Sequence, residues 1–249
     1  MQGGRSKFAS RMKAAVVGAA VAMISVHAAS AETTLEKIRR TGVMTTANSF
    51  EYVPFGYIEN GKMTGFDVDL GEELARRMGV KITWEKIDFK GIIAALTSNR
   101  VDLLITAMTH SPERAERIDF SRPYFDGGIG AAYRAGAPIT KPEHLEGKII
   151  GVQIGSAGAA WTRDRYAAKA KEVKTYDTLF LALKDLESGR VETVVSALPS
   201  VRYSVKKLKD IAYSEPWDHR ELASTRARPT RTCLPRSTST WPPWKQTAR

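Results

Sequence analysis

Arg114 is the residue whose type and position could do binding chemistry. Ser111 and Pro112 predict the start of a helix, and Arg114 falls in its first turn. The helix dipole disfavours a cation there. The guanidinium therefore either extends into solvent, as most surface arginines do, or reaches the preceding strand end beside Thr106 and Thr109 to hold a carboxylate by two hydrogen bonds. The residues alone leave both interpretations open and slightly favour the first.

The sequence offers little for catalysis or metal binding. The patterns GxSxG, HExxH, GxxxxGK[ST] and CxxC are absent. The histidines show no ligand spacing, and Asp67 and Asp69 at the start of a predicted helix are more typical of dipole compensation than of a metal site. The single cysteine, Cys233, lies in an unusual C-terminal stretch. We therefore expect no cofactor, no metal and no enzymatic activity.

The chain of 249 residues has a formal net charge of +11, and its two ends carry ten of these charges. Residues 1–31 hold four basic residues and residues 223–249 hold six, with no acidic residue in either segment. Residues 32–222 hold 28 basic and 27 acidic residues. A broad phosphate-binding surface is therefore excluded as the default interpretation, and we expect no nucleic-acid partner.

Residues 1–31 have the features of a cleaved export signal. Basic residues precede an apolar run, Ala14–Val26, and Ala29-Ser30-Ala31 offers small residues for cleavage. The run is too short to span a bilayer comfortably, which argues against a transmembrane anchor. We expect the mature chain to begin near Glu32 and to act in the periplasm.

The body alternates strands and helices twice. The predicted strands are Lys81–Ile87, Val101–Met108, Lys148–Ile154 and Val191–Ala197. The predicted helices are Leu70–Met78, Phe89–Ser98, one from the turn at Gly155–Gly158 to about Lys171, and Leu179–Leu186 with Asp177 as N-cap. Gly79 and Gly189 are the stop signals of the first and last helix.

An internal repeat indicates two lobes. Residues 98–107 match residues 188–197 at four of ten positions, with a spacing of 90 residues. Any junction between a helix and a buried strand could look this way, so a chance match is the alternative. If the repeat is real, each lobe is an α/β unit with its own, largely parallel sheet. Ligands of such sheets bind at the carboxyl ends of the strands, which predicts a site between the lobes.

Six motifs occur in a characteristic order: YVPF at 52–55, GFDVDL at 65–70, THSPER at 109–114, IDFSRPY at 118–124, LEGK at 145–148 and GVQIGS at 151–156. This set resembles family 3 of the bacterial extracellular solute-binding proteins. The resemblance implies a two-lobed, periplasmic-binding-protein-like type II fold with mostly parallel sheets and helices on both faces. It also implies a monomer that closes on an amino acid or related small carboxylate and delivers it to the permease of an ABC transporter.

The resemblance also implies a set of ligand-binding residues. Tyr52 resembles the family's aromatic wall, with Phe50 and Phe89 as neighbours, although Phe89 could equally belong to the core. The carbonyl of Ala107 resembles the acceptor for the ligand amine. Thr109 and Arg114 resemble the carboxylate clamp at the strand end that includes Thr106, and Ser156 and Ala157 resemble backbone N–H donors from the second lobe.

Ala197 departs from the family pattern. Most amino-acid binders of the family have an aspartate there that meets the ligand's α-ammonium, and a buried ammonium without a carboxylate is costly. Either another acid such as Glu51 substitutes, or the ligand is not an ordinary α-amino acid. The departure keeps one enzymatic alternative open, a cyclohexadienyl dehydratase acting on prephenate or arogenate with the same fold.

The C-terminal stretch from Ala223 resembles a wrong reading frame. It has no acid, but it contains the only cysteine, two of the five tryptophans and four of the eleven prolines. A basic tail is one interpretation. The other is a one-base slip near Leu222, because the shifted frame permits an amphipathic helix like the last one of the family. Resequencing the gene there distinguishes the two.

The expected organisation follows from these segments. Residues 1–31 are the signal peptide, 32–125 form lobe 1, and 126–215 form lobe 2. Residues 216–222 are the return crossover, and lobe 1 is completed by this C-terminal return. We expect residues 223–249 to be an aberrant basic tail that is not natively folded.

Overall fold

The computed structural model describes residues 32–227, so the predicted signal peptide and residues 228–249 lie outside it. The α-helices in this range are α1 (Thr34–Thr41), α2 (Phe66–Met78), α3 (Ile92–Thr97), α4 (Pro112–Ala115), α5 (Ala157–Tyr166), α6 (Leu179–Glu187) and α7 (Leu198–Val205). The strands are β1 (Val43–Asn48), β2 (Glu51–Tyr52), β3 (Gly56–Glu59), β4 (Lys62–Thr64), β5 (Lys81–Lys86), β6 (Leu103–Thr109), β7 (Ile118–Phe120), β8 (Phe125–Arg134), β9 (Ile149–Gln153), β10 (Glu172–Tyr176), β11 (Thr193–Ala197), β12 (Ile211–Tyr213) and β13 (Asp218–Ala227).

The predicted helices and strands are present, but several boundaries differ. The predicted helix Phe89–Ser98 begins as a 3-10 turn, Phe89–Gly91, before α3. Two further boundaries, in the second half of the chain, are wrong. Helix α5 ends at Tyr166 and does not continue to Lys171, because the chain must leave it to form β10 beside β9. The N-cap of α6 is Thr178 and not Asp177, since the Thr178 hydroxyl accepts a hydrogen bond from the Leu181 N–H at 3.2 Å. Both errors concern boundaries, which local signals specify poorly.

Ten strands form one sheet, and the main path through it is β10-β9-β11-β8-β13-β6-β1-β5. The outer strands pair in parallel: β5, β1 and β6 on one side, and β10, β9 and β11 on the other. The two central strands, β8 and β13, pair antiparallel with each other and with their outer neighbours. The largely parallel arrangement therefore holds within each half and not across the middle.

The expectation of a separate sheet for each lobe is wrong. Strands β8 and β13 are ten residues each, long enough to pair with strands of both halves. Residues 125–129 of β8 pair with β13, and residues 129–133 pair with β11. The predicted lobe boundary at residues 125 and 126 falls at the first residue of β8, and it stays a prediction.

The buried side chains nevertheless form separate cores in the two halves. The first half is the part of the fold around β5, β1 and β6, and the second half is the part around β10, β9 and β11. In the second half, Val194 packs in a cluster with α6 and α7, whereas its neighbour Val195 packs in a cluster with α5. Alternate residues of a strand point to opposite faces, so helices cover both faces of this part of the sheet. In the first half, Leu104 and Met108 of β6 pack against α3.

Strand β13 also changes the interpretation of the C-terminal stretch. It continues through Ala223–Ala227, five residues that we predicted to belong to an unfolded tail. Main-chain hydrogen bonds to β6 and β7 hold this segment whatever its side chains are. The side chains fit less well, because Thr225 Oγ1 and Arg226 Nε are buried without a hydrogen-bond partner in the described residues. The remaining residues of the predicted tail, 228–249, lie outside the described range.

Candidate functional site

A cavity of about 20 Å³, room for about one water molecule, lies where β6, β9 and β11 end. Nine of the ten predicted binding residues line it: Tyr52, Phe89, Thr106, Ala107, Thr109, Arg114, Ser156, Ala157 and Ala197. Four residues outside the predicted set also line it: Ser49, Gln153, Gly158 and Ser196. Each of the four adjoins a predicted residue or lies at a strand end, so the strand-end rule could have found them.

Phe50 is the predicted residue that lies elsewhere. Its backbone is left-handed, with φ of 54°, which breaks the alternation that would have placed Phe50 on the same face as Tyr52. The ring is 3% exposed and meets Trp84 edge-on, with 5.7 Å between ring centroids. Phe50 is therefore a packing residue next to the site and does not line the cavity.

Arg114 extends into the cavity and contacts both halves of the chain. Its Nη1 donates to the carbonyl of Thr109 at 2.7 Å, and its Nη2 donates to the carbonyl of Gly155 at 2.8 Å. The guanidinium carbon lies 5.8 Å from the centroid of the Phe89 ring. A guanidinium has five donors, so three remain available for an anion. The solvent-facing interpretation of Arg114 is therefore wrong.

The electrostatics at Arg114 favour an anionic ligand. Burial lowers the pKa of the guanidinium to about 10, so it stays charged at neutral pH. Within residues 32–227 it forms no ion pair with an acid, although its side chain is half-buried. A half-buried charge without a counter-charge loses part of its hydration, and a bound carboxylate would compensate for that loss.

The N-terminus of α5 forms the opposite wall. Gly158 lets the helix approach β11 closely, because a Cβ there would lie 2.5 Å from the carbonyl of Val195. The Ser156 hydroxyl caps the helix by accepting from the Ala159 N–H at 3.1 Å, and the Ser156 N–H donates to the Gln153 carbonyl at 3.1 Å. Ser156 is thus already engaged, which leaves Ala157 and Gly158 as the cavity-lining first-turn N–H donors.

The wall that should meet a ligand ammonium is neutral. Ala197 lies there, at the end of β11, and none of the cavity-lining residues is acidic. Glu51, which we considered as a substitute, lies in a different groove and pairs with Lys86 at 3.3 Å. Its compensating role is therefore not supported.

Neutral oxygens take the place of the acid. The Ser196 hydroxyl is buried close to the Tyr52 hydroxyl, but it forms no hydrogen bond of good geometry within the described residues. Gln153 uses its amide N–H to donate to the Asp177 carbonyl at 3.1 Å, which leaves its amide oxygen to accept. Burial raises the pKa of the Tyr52 hydroxyl, so it stays protonated at neutral pH, and the nearby Ser200 and Ser196 hydroxyls oppose that shift.

The model of bacterial extracellular solute-binding proteins, family 3, matches residues 44–215 of this chain. The chain belongs to this family. It is 32% identical over 195 residues to the L-cystine-binding protein TcyJ of Escherichia coli (strain K12), covering 77% of this chain and 73% of that protein.

Solved structures agree with the family. An arginine-bound, truncated form of ArgBP from T. maritima superposes with a TM-score of 0.72 at 31% identity, covering 78% of this chain and 92% of that one. AncCDT-1, described as an ancestral amino acid-binding protein and a precursor of cyclohexadienyl dehydratase, has a TM-score of 0.74 at 28% identity, covering 79% and 87%. The two-lobed type II fold inferred from the motifs is confirmed.

Within residues 32–227, none of the helices has the length and apolar composition that a bilayer span requires. No group of three or more histidine, cysteine or acidic side chains in that range is placed to hold a metal ion.

Proposed function

We propose that this chain binds an amino acid or a related small carboxylate in the Arg114 cavity and delivers it to the permease of an ABC transporter. The observation that carries the proposal is Arg114, a half-buried cation with three unused donors, facing the N-terminus of α5. A carboxylate between them would accept from the guanidinium and from the Ala157 and Gly158 N–H groups. Family membership supports the same function.

The enclosed geometry implies that the halves separate to admit a ligand. The cavity is too small for an amino acid, and Arg114 bridges the two halves through the Thr109 and Gly155 carbonyls. A carboxylate that binds Arg114 and α5 together would add an attractive contact between the halves and so favour the closed arrangement. A permease would then recognise the closed form of a monomer.

The place of action that we propose is the periplasm. The signal-like segment 1–31 supports export, and the nearly neutral body fits a protein that binds small solutes. The export signal is tested by N-terminal sequencing of the protein from the periplasmic fraction, which should begin near Glu32.

The chemistry of the cavity favours binding over catalysis. The ionisable side chains that line it are Tyr52 and Arg114, and both stay protonated at neutral pH. Neither can exchange a proton readily at that pH, and no lining carboxylate supplies a general acid or base. The dehydratase alternative is supported by the neutral residue at 197 and by the likeness to AncCDT-1. Incubation with prephenate, followed by assay for phenylpyruvate, tests it, and turnover would contradict the binding proposal.

A thermal-shift screen of the purified protein tests the proposed function. Amino acids and small carboxylates at millimolar concentration should raise the melting temperature if they bind the folded state. Each hit is then repeated with Arg114→Ala, which should show no shift. If no amino acid or carboxylate raises the melting temperature of the unaltered protein, the proposed ligand class is wrong.

A further inference from the structure

Strand β6 is irregular where it enters the cavity. Leu104 pairs with Thr225 and Met108 pairs with Ala223, so four steps along β6 correspond to two steps along β13. The extra residues form a bulge, a feature that re-aims groups beside binding sites. Ala107 lies in the bulge with φ of 46°, a left-handed conformation that is strained for a residue other than glycine. Something must hold this residue in place.

Side chains, and not β13, satisfy the backbone of the bulge. The N–H of Ala107 donates to the hydroxyl of Tyr124 at 3.0 Å. The carbonyl of Ile105 accepts from Nδ2 of Asn48 at 2.8 Å. Buried backbone groups need partners, so these two side chains determine whether the bulge keeps its shape.

Both side chains converge on the carboxylate of Asp67. The Tyr124 hydroxyl donates to Oδ1 at 2.8 Å, and Asn48 Nδ2 donates to Oδ2 at 3.3 Å. Asp67 has no solvent exposure, and within residues 32–227 no ion pair neutralises it. Dipole compensation alone, our sequence interpretation of Asp67, does not explain a carboxylate that is buried and fully engaged.

Asn48 extends the same network to a second segment of the cavity wall. Its Oδ1 accepts from the N–H of Phe50 at 2.8 Å, at the turn between Ser49 and Tyr52. Gly56 makes room for this arrangement, since a Cβ there would lie 2.4 Å from Asn48 Nδ2. Asp67 thus connects the segment that carries Ser49 and Tyr52 to the bulge that carries Ala107.

We propose that Asp67 is a positioning residue for the ligand site. Its ionised carboxylate holds the Ala107 bulge and the turn before Tyr52 through Tyr124 and Asn48, and the site loses affinity when Asp67 is protonated. This inference rests on the proposed function, because it concerns binding in the Arg114 cavity. It adds a residue that does not line that cavity.

The hydrogen-bond pattern explains why protonation matters. An ionised carboxylate only accepts, and here each oxygen faces a donor. A proton on either oxygen displaces one donor, which releases the bulge or the turn. Burial raises the pKa of Asp67 to about 7. Within the described residues, the ionisable groups that interact with Asp67 are Tyr124 and Tyr52. Burial raises the pKa of both hydroxyls above the usual value of 10, so both stay neutral near pH 7.

Calorimetric titration between pH 5.5 and 8.5 with the tightest ligand of the thermal-shift screen tests the proposal. The wild-type protein should bind more weakly below pH 7, where Asp67 gains a proton. Asp67→Asn should bind about tenfold more weakly than wild type at pH 8, as expected when a hydrogen bond to a charged group is lost, and it should lose the pH dependence. Asp69→Asn is the matched control, an exposed aspartate in the same helical turn, and it should behave as wild type.

A second measurement does not depend on ligand binding. Amide hydrogen exchange, followed by NMR at pH 8, should show that Ala107 loses protection in Asp67→Asn and in Tyr124→Phe but keeps it in Asp69→Asn. Tyr124→Phe retains the carboxylate but removes the hydroxyl that connects it to the Ala107 N–H, so it keeps the test available if Asp67→Asn does not fold.

The outcomes separate this proposal from the proposed function. If Arg114→Ala abolishes binding while Asp67→Asn keeps the affinity and pH profile of wild type, the positioning role is wrong and the binding function stands. If the wild-type protein binds no amino acid or carboxylate, the proposed function fails, and unchanged protection of Ala107 in both variants would overturn the positioning role as well.

Discussion

At the scale of single residues, the candidate site has a cation, Arg114, and no acidic side chain opposite it. Arg114 presents unused donors to the cavity, while Ala197 stands where most amino-acid binders of the family have an acid. In the proposed binding mode, the carboxylate of a ligand would meet a full charge and its ammonium would meet neutral oxygens such as that of Ser196. Selectivity should follow from this imbalance, and two substitutions test it.

Arg114→Ala should weaken ligand binding by more than tenfold. A buried, charge-assisted pair that loses one partner typically costs about 2–5 kcal/mol. Arg114→Lys should recover only part of the affinity, because an ammonium cannot meet both carboxylate oxygens. Calorimetric titration measures the affinities, with circular dichroism as the folding control and Arg117→Ala, an exposed arginine near the end of α4, as the matched variant. Unchanged binding by Arg114→Ala would place the site elsewhere.

Ala197→Asp should tighten the binding of ligands that carry a free α-ammonium. The new carboxylate would lie at the neutral wall of the cavity and pair with the ammonium, which removes part of its desolvation cost. Ala197→Asn has nearly the same shape without the charge, and we expect it to show no such gain. Titration of both variants with amino acids measures the difference. No gain with aspartate would mean that neutral oxygens already satisfy the ammonium.

At the scale of elements, helix α5 must approach β11 closely to bring its N-terminus to the cavity. Gly158 allows this approach, because any side chain there would meet the backbone of Val195 and Ser196 at 3.0 Å or less. The helix and Arg114 thus face each other across the cavity, although their residues are more than forty positions apart in the sequence.

Gly158→Ala should destabilise the protein and weaken ligand binding together. The added Cβ would lie 2.5 Å from the Val195 carbonyl, so α5 must shift away from β11 at a cost of about 1–3 kcal/mol. Chemical denaturation gives the change in free energy of unfolding, and titration gives the change in affinity. Gly136→Ala is the matched control, since a Cβ there meets nothing within 4 Å. A Gly158→Ala variant as stable as wild type would show that α5 can accommodate the added Cβ without moving away from β11.

At the scale of the whole molecule, two long strands join halves that keep separate cores. β8 and β13 carry the hydrogen bonds of both halves, and the hydrophobic clusters pack on either side of them. Movement of one half relative to the other would therefore bend these two strands without opening a core. The buried carboxylate of Asp67 lies in the first half and affects the stability of the whole fold.

Asp67 should make the protein less stable as the pH rises from about 4 to about 7. Burial raises its pKa from 3.8 to about 7, so in this range the folded state holds a proton that the unfolded state has released. The contribution is present at low pH and is lost as the pH rises through 7, by about 1.4 kcal/mol for each unit of the shift. Denaturation of wild type and Asp67→Asn at several pH values isolates it, because the other carboxylates cancel in the comparison. Parallel curves for the two proteins would contradict the raised pKa.

The sequence by itself determined the local structure and most of the residues that line the cavity. Hydrophobic periodicity, the cap at Ser111 and the stop at Gly79 are short-range signals, and the helices and strands that they predicted are present. The family motifs and the strand-end rule indicated nine residues that line one cavity. These features are encoded within a few residues of each other, so they can be read without the fold.

Only the tertiary structure decided what depends on distant partners. Phe50 turns away from the cavity because Asn48 accepts from its N–H and Trp84 packs against its ring. Asp67 is a buried hydrogen-bond acceptor because Tyr124 and Asn48 both donate to its carboxylate. Residues 223–227 form a strand because β6 and β7 offer free main-chain groups, and β8 and β13 merge two expected sheets into one. Each outcome is determined by contacts between segments far apart in the chain, which periodicity and spacing do not record.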